Sequence, residues 1–456
     1  MLIIISDLHL TDGTCGKSIS DSAFTLFATR LKELALNASW RSDTSYHPLE
    51  EIDILLLGDI LDVQHSTLWL EKADGSPVSV RPWTDFRDPA YAATLGDITR
   101  AILDNNREGL AILRGLALPG GVTLPSAAAN GQPDFDAEEQ IPVRVRIHYM
   151  VGNHDWHYHL PGAGFDSIRR EVISAMQLSN DAGPFPHEAC ENAPLQALLN
   201  RYQVYAQHGD LYDGYNYNHE KGRDAAALGD AFATQIINRF PVEAERRLRE
   251  ELPPGLVNSL RELFNVRPTL AIPLWISSQL RQNNVSPEMQ EKLKDLWDKM
   301  GNEFLALPFV READKKFKFD YVDGLEAIVK LTDAFSFKTI DQVIVWLRKR
   351  FWSEEITFAK HALKEEAFIN RKAQFIVYGH THHHEVVPLD SSPASPHPTN
   401  QMYMNSGTWH TYVDLAMHKP EEQKFVPYQV LTYLTFYQGD ERGGRKFETW
   451  SGAFSE

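Results

Sequence analysis

The chain has 456 residues, 43% of them hydrophobic and 11% aromatic, which is enough to bury a sizeable core and argues against a disordered chain. Its 45 Lys and Arg residues against 62 Asp and Glu residues give a formal charge of −17, which disfavours nucleic acid and anionic membranes as partners. Two cysteines exclude a disulfide framework and no apolar stretch is long enough for a membrane span, so we expect a cytoplasmic protein.

Five short apolar runs of β-strand type each lead into Gly, Asp, Asn or His. In chain order they are LIIISDLH (2–9), IDILLLGDILD (52–62), VRIHYMVGNHD (145–155), YQVYAQHGD (202–210) and QFIVYGHTH (374–382). We expect the first run to be a buried strand and not part of a signal peptide. In open α/β sheets, ligands bind beyond the carboxyl ends of the strands, so the five ends are predicted to converge on one site.

Helices are predicted between these strands. Apolar residues recur with helical period over 24–36 and 165–178, as expected of helices that cover the faces of a sheet. Segment 116–142 differs, because it combines Pro, Gly and Ala with acidic residues. We expect a long surface loop there, without a chemical role.

Residues 211–373 lack the strand pattern and are predicted to form a helical insertion between two strands of the core. One helix is expected to have Ser286 as its N-cap, Pro287 at its first position and Gly301 at its end. A second is expected to begin near Thr339. Residues 211–374 contain 25 basic and 25 acidic side chains, so the net negative charge belongs to the rest of the chain.

The core pattern resumes after the insertion. Strands are predicted over 401–410 and, as a hairpin with a Gly-rich turn, over 429–450. The core is therefore expected to comprise residues 1–210 and 374–456, interrupted by the insertion.

The five strand ends carry a set of metal-binding side chains. Those that bind divalent cations through oxygen or imidazole nitrogen are Asp7, His9, Asp59, Asn153, His208, His380 and His382. Carboxylate, amide and imidazole donors without thiolates suit Mn²⁺, Fe or Zn²⁺ in a catalytic site better than a structural zinc site. The sequence therefore predicts a metal centre at the strand ends.

The motifs DxH, GDxxD, GNHD, HGD and GHTH, in this order, resemble those of the calcineurin-like metallophosphoesterase superfamily. The resemblance covers about residues 1–210 and 374–410 and does not account for the insertion. It implies an α/β fold in which two packed mixed β-sheets are flanked by helices. It also implies metal-dependent hydrolysis of a phosphate ester, phosphodiester or pyrophosphate bond.

The resemblance assigns a role to each motif residue. Asp7, His9 and His382 would bind the first metal, Asn153, His208 and His380 the second, and Asp59 would bridge them. His154 would contact the phosphate and protonate the leaving oxygen, and Asp62 would orient His154. The expected cofactors are two divalent cations, with Mn²⁺ as the first choice and Fe or Zn²⁺ as alternatives. Two such cations would bind the phosphate oxygens and convert a bridging water to hydroxide near neutral pH.

Other polar residues near the motifs are given no ligand role. Surface or supporting positions are expected for His157, His159, His383 and His384, because no motif position includes them. Asp155 is expected to tie its own loop. His410, in NSGTWH, is expected either to support the ligands or to be an ordinary core residue.

The substrate depends on the insertion, because the motifs specify a bond class and not a molecule. The position of the insertion after HGD is similar to that of the lid in UDP-2,3-diacylglucosamine hydrolases. Those enzymes are shorter and typically have Arg where this chain has His154. We expect a phosphorylated small molecule or a nucleotide-linked substrate.

Two alternatives remain open for the function. A dimetal nuclease shares the GNHD motif, although an acidic chain with a neutral insertion shows no basic stripe for nucleic acid. A non-catalytic scaffold is disfavoured because all seven ligand positions are filled. Asn216, Lys221 and Arg223 are candidate substrate-binding residues, with a hinge loop of solvated charges as the alternative.

Overall fold

The computed structural model describes residues 1–456 apart from 73, 254, 268, 315–357, 393–398, 420–421 and 456. The protein is an α/β protein with several sheets. Its strands are β1 (Leu2–Ile5), β2 (Glu51–Leu57), β3 (Thr123–Ala127), β4 (Pro133–Asp134), β5 (Gln140–Pro142), β6 (Arg144–Met150), β7 (Val204–Ala206), β8 (Val266–Arg267), β9 (Phe375–Tyr378), β10 (His384–Ser392), β11 (Thr399–Ser406), β12 (His410–Leu415), β13 (Phe425–Phe436) and β14 (Phe447–Phe454).

The described helices lie between these strands and in the insertion. They are α1 (Asp21–Ala38), α2 (Pro89–Asn105), α3 (Arg107–Ala117), α4 (Ala163–Met176), α5 (Ala193–Arg201), α6 (Leu228–Phe232), α7 (Arg239–Leu248), α8 (Leu256–Arg261), α9 (Ile272–Gln282), α10 (Pro287–Ala306), α11 (Pro308–Asp314), α12 (Ala359–Ala362) and α13 (Glu366–Ile369). A π-helical turn, Ala233–Asn238, joins α6 to α7. The predicted helices at 24–36 and 165–178 are confirmed as α1 and α4.

The largest sheet is mixed and has the order β6-β2-β1-β13-β12-β8, with β14 also paired to β13. Strands β6, β2 and β1 are parallel, whereas β1 pairs with β13 antiparallel, Leu2 opposite Phe436. Every residue of β1 is buried, as expected of a central strand covered on both faces. Strands β13 and β14 form the predicted C-terminal hairpin.

A second mixed sheet has the order β10-β11-β9-β7. Alternate residues of a strand point to opposite faces, so β1 packs against different layers on its two sides. Leu2 and Ile4 belong to a buried cluster with Val204 and Phe375 of the second sheet. Ile3 and Ile5 belong to a cluster that includes the apolar face of α1. Both faces of the large sheet are therefore covered.

The prediction of a long surface loop over 116–142 is wrong in its secondary structure. This segment contains β3, β4 and β5, which form a three-stranded antiparallel sheet. The turn between β3 and β4 contains Asn130 and Gly131, with Gly131 at φ 76°, and Asn-Gly is a strong signal for a hairpin turn. Tyr46 is buried and donates its hydroxyl to the carbonyl of Pro125, which anchors the small sheet.

The insertion is not purely helical, which corrects another expectation. Its two-residue strand β8 pairs in parallel with β12 and extends the largest sheet. The predicted N-cap Ser286 is confirmed, since its hydroxyl accepts from the backbone N–H of Met289. The predicted end at Gly301 is wrong, because Gly301 is buried inside the helix and the helix continues to Ala306. It ends there shortly before Pro308, as helices usually do ahead of a proline.

The second helix predicted in the insertion, near Thr339, lies outside the described residues. Among the helices that the structure describes, none is long and apolar enough to cross a membrane.

Candidate metal centre

The residues that follow three of the five predicted strands, β1, β2 and β9, adopt an unusual backbone conformation. Five of the seven predicted ligands lie in the left-handed region, at φ values from 45° to 68°, namely Asp7, His9, Asp59, His380 and His382. A non-glycine residue in this region costs roughly 1 to 3 kcal/mol, and such residues cluster at functional sites. The strain is therefore concentrated where the sequence predicts metal binding.

Backbone hydrogen bonds hold these strained residues in place. The N–H groups of Asp7 and His9 donate to the carbonyls of Gly58 and Asp59, both at 3.0 Å. The carbonyl of Asp7 in turn accepts from the side-chain hydroxyl of Thr408 at 2.7 Å. The two loops after β1 and β2 are thus paired with each other beyond the ends of their strands, which fixes the direction of their side chains.

The first group of donors contains Asp7, His9 and His382. His9 Nε2 lies 3.0 Å from His382 Nε2 and 3.9 Å from Asp7 Oδ1, and His382 Nε2 lies 3.4 Å from the same oxygen. Transition metals bind such atoms at about 2.0 to 2.2 Å, so donors that share one cation lie roughly 3 to 4 Å apart. The group fits one divalent cation.

The second group contains His208, His380 and Asn153. The amide oxygen of Asn153 lies 3.2 Å from His208 Nε2 and 2.9 Å from His380 Nδ1. Asp59 stands between the two groups, with Oδ2 at 3.1 Å from His208 Nε2 and 4.0 Å from His9 Nε2. One carboxylate is therefore within reach of both groups, as a bridging ligand requires.

The histidines of both groups are oriented through the ring nitrogen that faces away from the centre. His9 Nδ1 contacts Asp62 Oδ2 at 2.8 Å, and His208 Nδ1 donates to the carbonyl of Leu57 at 2.9 Å. His380 Nε2 contacts Asp213 Oδ2 at 3.1 Å. Such partners fix the tautomer and leave the other nitrogen for a metal.

Close packing explains the glycines of the motifs. A Cβ atom at Gly58 would lie 2.5 Å from His208 Nδ1, and one at Gly152 would lie 2.4 Å from Asp59 Oδ1. Gly58 also has a φ of 83°, a conformation that L side chains rarely adopt. Glycine is required at these positions because the ligands pass directly beside the backbone.

The charges of the buried donors suit a cation. Burial acts to raise the pKa of Asp59, but nearby His208 and His154 hold it below its usual range. Burial lowers the pKa of His382 to about 3, so this ligand is neutral at pH 7. Burial also acts to lower the pKa of His208, but Asp59 and Asp7 outweigh it and raise the pKa to about 10. Without metal, the imidazole of His208 is therefore protonated at pH 7, and its positive charge is stabilised by Asp59 and Asp7.

Metal loading is therefore expected to release about one proton per chain from His208 at pH 7, because only neutral imidazole binds a metal. Calorimetric titration with Mn²⁺ in buffers of different ionisation enthalpy measures this release. The release from His208 should decrease as pH rises toward 10. A proton lost from a bound water shows the opposite trend, since that loss increases through a pKa of ~7. A titration without proton release at pH 7 contradicts the assignment.

His154 and Asp62 lie beside the two donor groups. His154 Nδ1 contacts Asp62 Oδ2 at 3.0 Å, and the backbone N–H of His154 donates to Asp59 Oδ1 at 2.7 Å. Asp62 also contacts His9 and His65, so one buried carboxylate holds three imidazoles. His65 was not predicted from the sequence. The groups His9, Asp59, His154 and Asp62, His65, His154 also place metal-binding atoms together.

The other polar residues have different surroundings. Asp155 ties its loop as predicted, accepting from Gly152 N, Ile60 N and the hydroxyl of Tyr149.

The other histidines near the motifs differ in their burial. His410 is buried and contacts the rings of His9 and His382, which is the supporting position. His383 is exposed and His384 half-buried. His157 is fully buried against Trp156, which excludes the surface alternative of its prediction.

The candidate substrate-binding residues are mostly engaged elsewhere. Arg223 binds Asp210, Nη2 to Oδ1 at 2.7 Å, and Asn216 donates to Asp213 Oδ2 at 2.9 Å. Lys221 is exposed. Arg223 holds the first stem of the insertion against the core, as a hinge loop does, whereas Asn216 bonds within the stem to Asp213, the partner of His380.

Besides His65, sequence reasoning missed three residues near the centre. Phe264 stacks on His65 with ring centroids 3.7 Å apart, and Arg267 lies over the rings of Phe264 and Tyr412. Arg267 Nη2 is 3.5 Å from His410 Nε2. No motif or helical periodicity marks Phe264 or Arg267, because Phe264 lies in the short turn Glu262–Asn265 and Arg267 in the two-residue strand β8 that follows it. Asp213 is the third, and only its position after HGD could have drawn attention to it.

Replacing Asp213 by asparagine is expected to weaken Mn²⁺ binding ~10- to 100-fold, the usual effect of losing an outer partner of a ligating histidine. The asparagine keeps the shape but removes the charge that orients His380. Mn²⁺ affinity is measured by competition with a chelator. Asp97→Asn, an exposed helix position paired with Arg100, serves as the control. Unchanged affinity in Asp213→Asn rules out this orienting role.

Compared with the models of known protein families and with curated protein sequences, the chain has no match. Support for the site therefore comes from the geometry of its own residues.

Proposed function

We propose that this protein is a metal-dependent phosphoesterase of the calcineurin-like metallophosphoesterase type. The observation that carries the proposal is the pair of donor groups that share Asp59, since a carboxylate between two cation sites is what two-metal hydrolysis requires. The core would then be the two-sheet sandwich of that superfamily. Its substrate would be a phosphate ester, a phosphodiester or a pyrophosphate of a small molecule or nucleotide conjugate.

Two divalent cations, with Mn²⁺ as first choice and Fe or Zn²⁺ as alternatives, would neutralise the phosphate oxygens and activate a water molecule. Asp7, His9 and His382 would hold one cation, Asn153, His208 and His380 the other, and Asp59 both. The remaining polar residues of the centre would hold these ligands in position. Backbone and carboxylate partners fix the rings of His208, His9 and His380.

His154 would act as the acid that protonates the leaving oxygen. Burial acts to lower its pKa, but Asp62 and Asp59 outweigh burial and raise the pKa to about 9. The imidazole of the metal-free protein is therefore protonated at pH 7 and holds a proton that it can donate. Asp62 keeps Nδ1 oriented, so Nε2 is the nitrogen available to the substrate.

The insertion would act as a cap that selects the substrate. Phe264 and Arg267 bring an aromatic face and a cation from the insertion to the edge of the centre, where Arg267 could contact a phosphate or its leaving group. Because β8 is part of the large sheet, removing 225–368 would also remove sheet pairing. Substitution of Arg267 is therefore a cleaner way to examine the cap than deletion.

The test of the function is a substrate screen of Mn²⁺-loaded protein. The panel contains monoesters, diesters, nucleoside diphosphate conjugates, and single- and double-stranded DNA. Metal-dependent hydrolysis of one phosphorus class, lost in Asp59→Asn, is the expected result, and cleavage of DNA instead would identify the nuclease alternative. Absence of hydrolysis across the panel by protein with two bound metals contradicts the proposal and leaves the scaffold alternative.

A further inference from the structure

Three metal-binding side chains meet at a second place, away from the residues of the predicted centre. His159 ends the turn Trp156–His159, His187 precedes the turn Ala189–Glu191, and Asp224 lies in the first stem of the insertion. Their donor atoms all lie within 4.8 Å of one another. Neither the motifs nor the role of the predicted centre accounts for this group.

The geometry of the group favours a shared ligand. His187 Nε2 donates a hydrogen bond to Asp224 Oδ1 at 2.9 Å, which a bound cation would replace, and His159 Nε2 lies 3.8 Å from Asp224 Oδ2. His159 Nδ1 is 2.8 Å from the carbonyl of Phe185, which requires the proton on Nδ1. The lone pair of neutral His159 is therefore on Nε2, the nitrogen that faces Asp224. This is the orientation seen in metal-bound histidines.

The charges around the group suit a cation. Burial lowers the pKa of His187, which keeps it neutral at pH 7. Burial acts to raise the pKa of Asp224, but the hydrogen bond from His187 and the nearby His159 lower it. Glu191 Oε2 is 3.8 Å from His159 Nδ1 and adds a negative charge. The nearby cation Arg223 is paired with Asp210 at 2.7 Å.

The partial exposure of these three side chains lets an ion reach them from solvent and leaves a coordination position open. The side chain of His187 is 5% exposed, whereas those of His159 and Asp224 are 22% and 44% exposed. Two imidazoles and one carboxylate form a donor set of the type found in zinc sites that keep a water as fourth ligand.

We propose that His159, His187 and Asp224 bind one Zn²⁺ ion that links the first stem of the insertion to the core. Asp224 belongs to the stem, whereas His159 follows His154 on the same short segment of the core. The ion therefore ties the base of the cap to the segment that carries the predicted acid. This site is separate from the predicted dinuclear centre and does not depend on the proposed function.

Zinc titration of the metal-free full chain tests the proposal. His159→Gln and Asp224→Asn are preferred to a substitution of buried His187, because both residues are partly exposed and the fold should tolerate the change. His47→Ala, an exposed histidine elsewhere, is the matched control. Each site variant should bind one Zn²⁺ equivalent fewer than the unmodified chain and the control. The same difference is expected in an Asp59→Asn background, in which the predicted dinuclear centre is impaired.

Amide hydrogen exchange locates the site independently. Added Zn²⁺ should slow exchange over residues 221–227 in the unmodified chain and in His47→Ala, but not in His159→Gln or Asp224→Asn. Equal zinc stoichiometry in the unmodified chain and both site variants would overturn the proposal. A zinc effect on residues 221–227 that survives both substitutions would overturn it as well.

Discussion

Asp59→Asn is expected to lower the metal content of the predicted dinuclear centre and hydrolysis together. Asp59 is buried, with Oδ2 near His208 and His9 and Oδ1 bound to the backbone N–H of His154. Asparagine keeps the shape and one oxygen but removes the negative charge that both cations would share. Loss of a shared ligand should exceed the ~10- to 100-fold effect of losing an outer partner. Metal content should fall from about two cations per chain to fewer than one.

Elemental analysis and turnover of the purified variant measure the two effects. Asp53→Asn is the matched control, because Asp53 is a buried aspartate of β2, the strand that precedes Asp59, and it pairs with Arg146 and His148 away from the centre. That control should lose stability but keep its metals. Full metal content and normal turnover in Asp59→Asn would remove Asp59 from the predicted centre.

His154→Ala is expected to keep about two metals while turnover falls ~10²- to 10⁴-fold, the usual contribution of a general acid. The backbone N–H of residue 154 still donates to Asp59, so the bridging carboxylate stays in place. The loss should be smallest for substrates with good leaving groups, which need little protonation. Loss of metal from this variant would instead make His154 a ligand, as the group His9, Asp59, His154 permits.

The pH profile distinguishes an acid from a merely structural residue. An acid must be protonated, so turnover that depends on His154 is lost as pH rises through the pKa of its imidazole. Asp62 raises that pKa in the metal-free protein, and Asp62→Asn should therefore move the alkaline limb to lower pH. His154→Ala should lack this limb. An alkaline limb identical in all three proteins means that another group is responsible.

The ends of the predicted strands show which features of the site could be predicted from the sequence. An Ile-rich run followed by Asp7 and His9 predicts both a buried strand and polar residues at its end, because both features depend on residues that are adjacent in the sequence. The sequence also placed seven donors in motif order, and the structure brings them together in two groups. It did not indicate that five of them have positive φ, because non-glycine residues rarely adopt that conformation, even though Asp and His do so more often than most.

Long-range pairing explains what was missed. Strand β8 has two residues, and its partner β12 lies more than 140 positions away, so no local periodicity marks it. The orienting role of Asp213 likewise depends on a contact with His380 across the insertion. The small sheet over 116–142 carried a local signal, Asn-Gly, which the Pro and Gly content of the segment outweighed.

The pairing of β1 with β13 has a consequence for biosynthesis. Leu2 lies opposite Phe436, so β1 acquires this neighbour only after the long stretch of chain between them has been made. Such distant pairing slows folding and leaves strand edges open to aggregation while synthesis continues. The predicted metal ligands extend from Asp7 to His382, so a complete centre cannot form on a nascent chain that lacks the last of them. Metal acquisition is therefore expected to be a late event, coupled to closure of the large sheet.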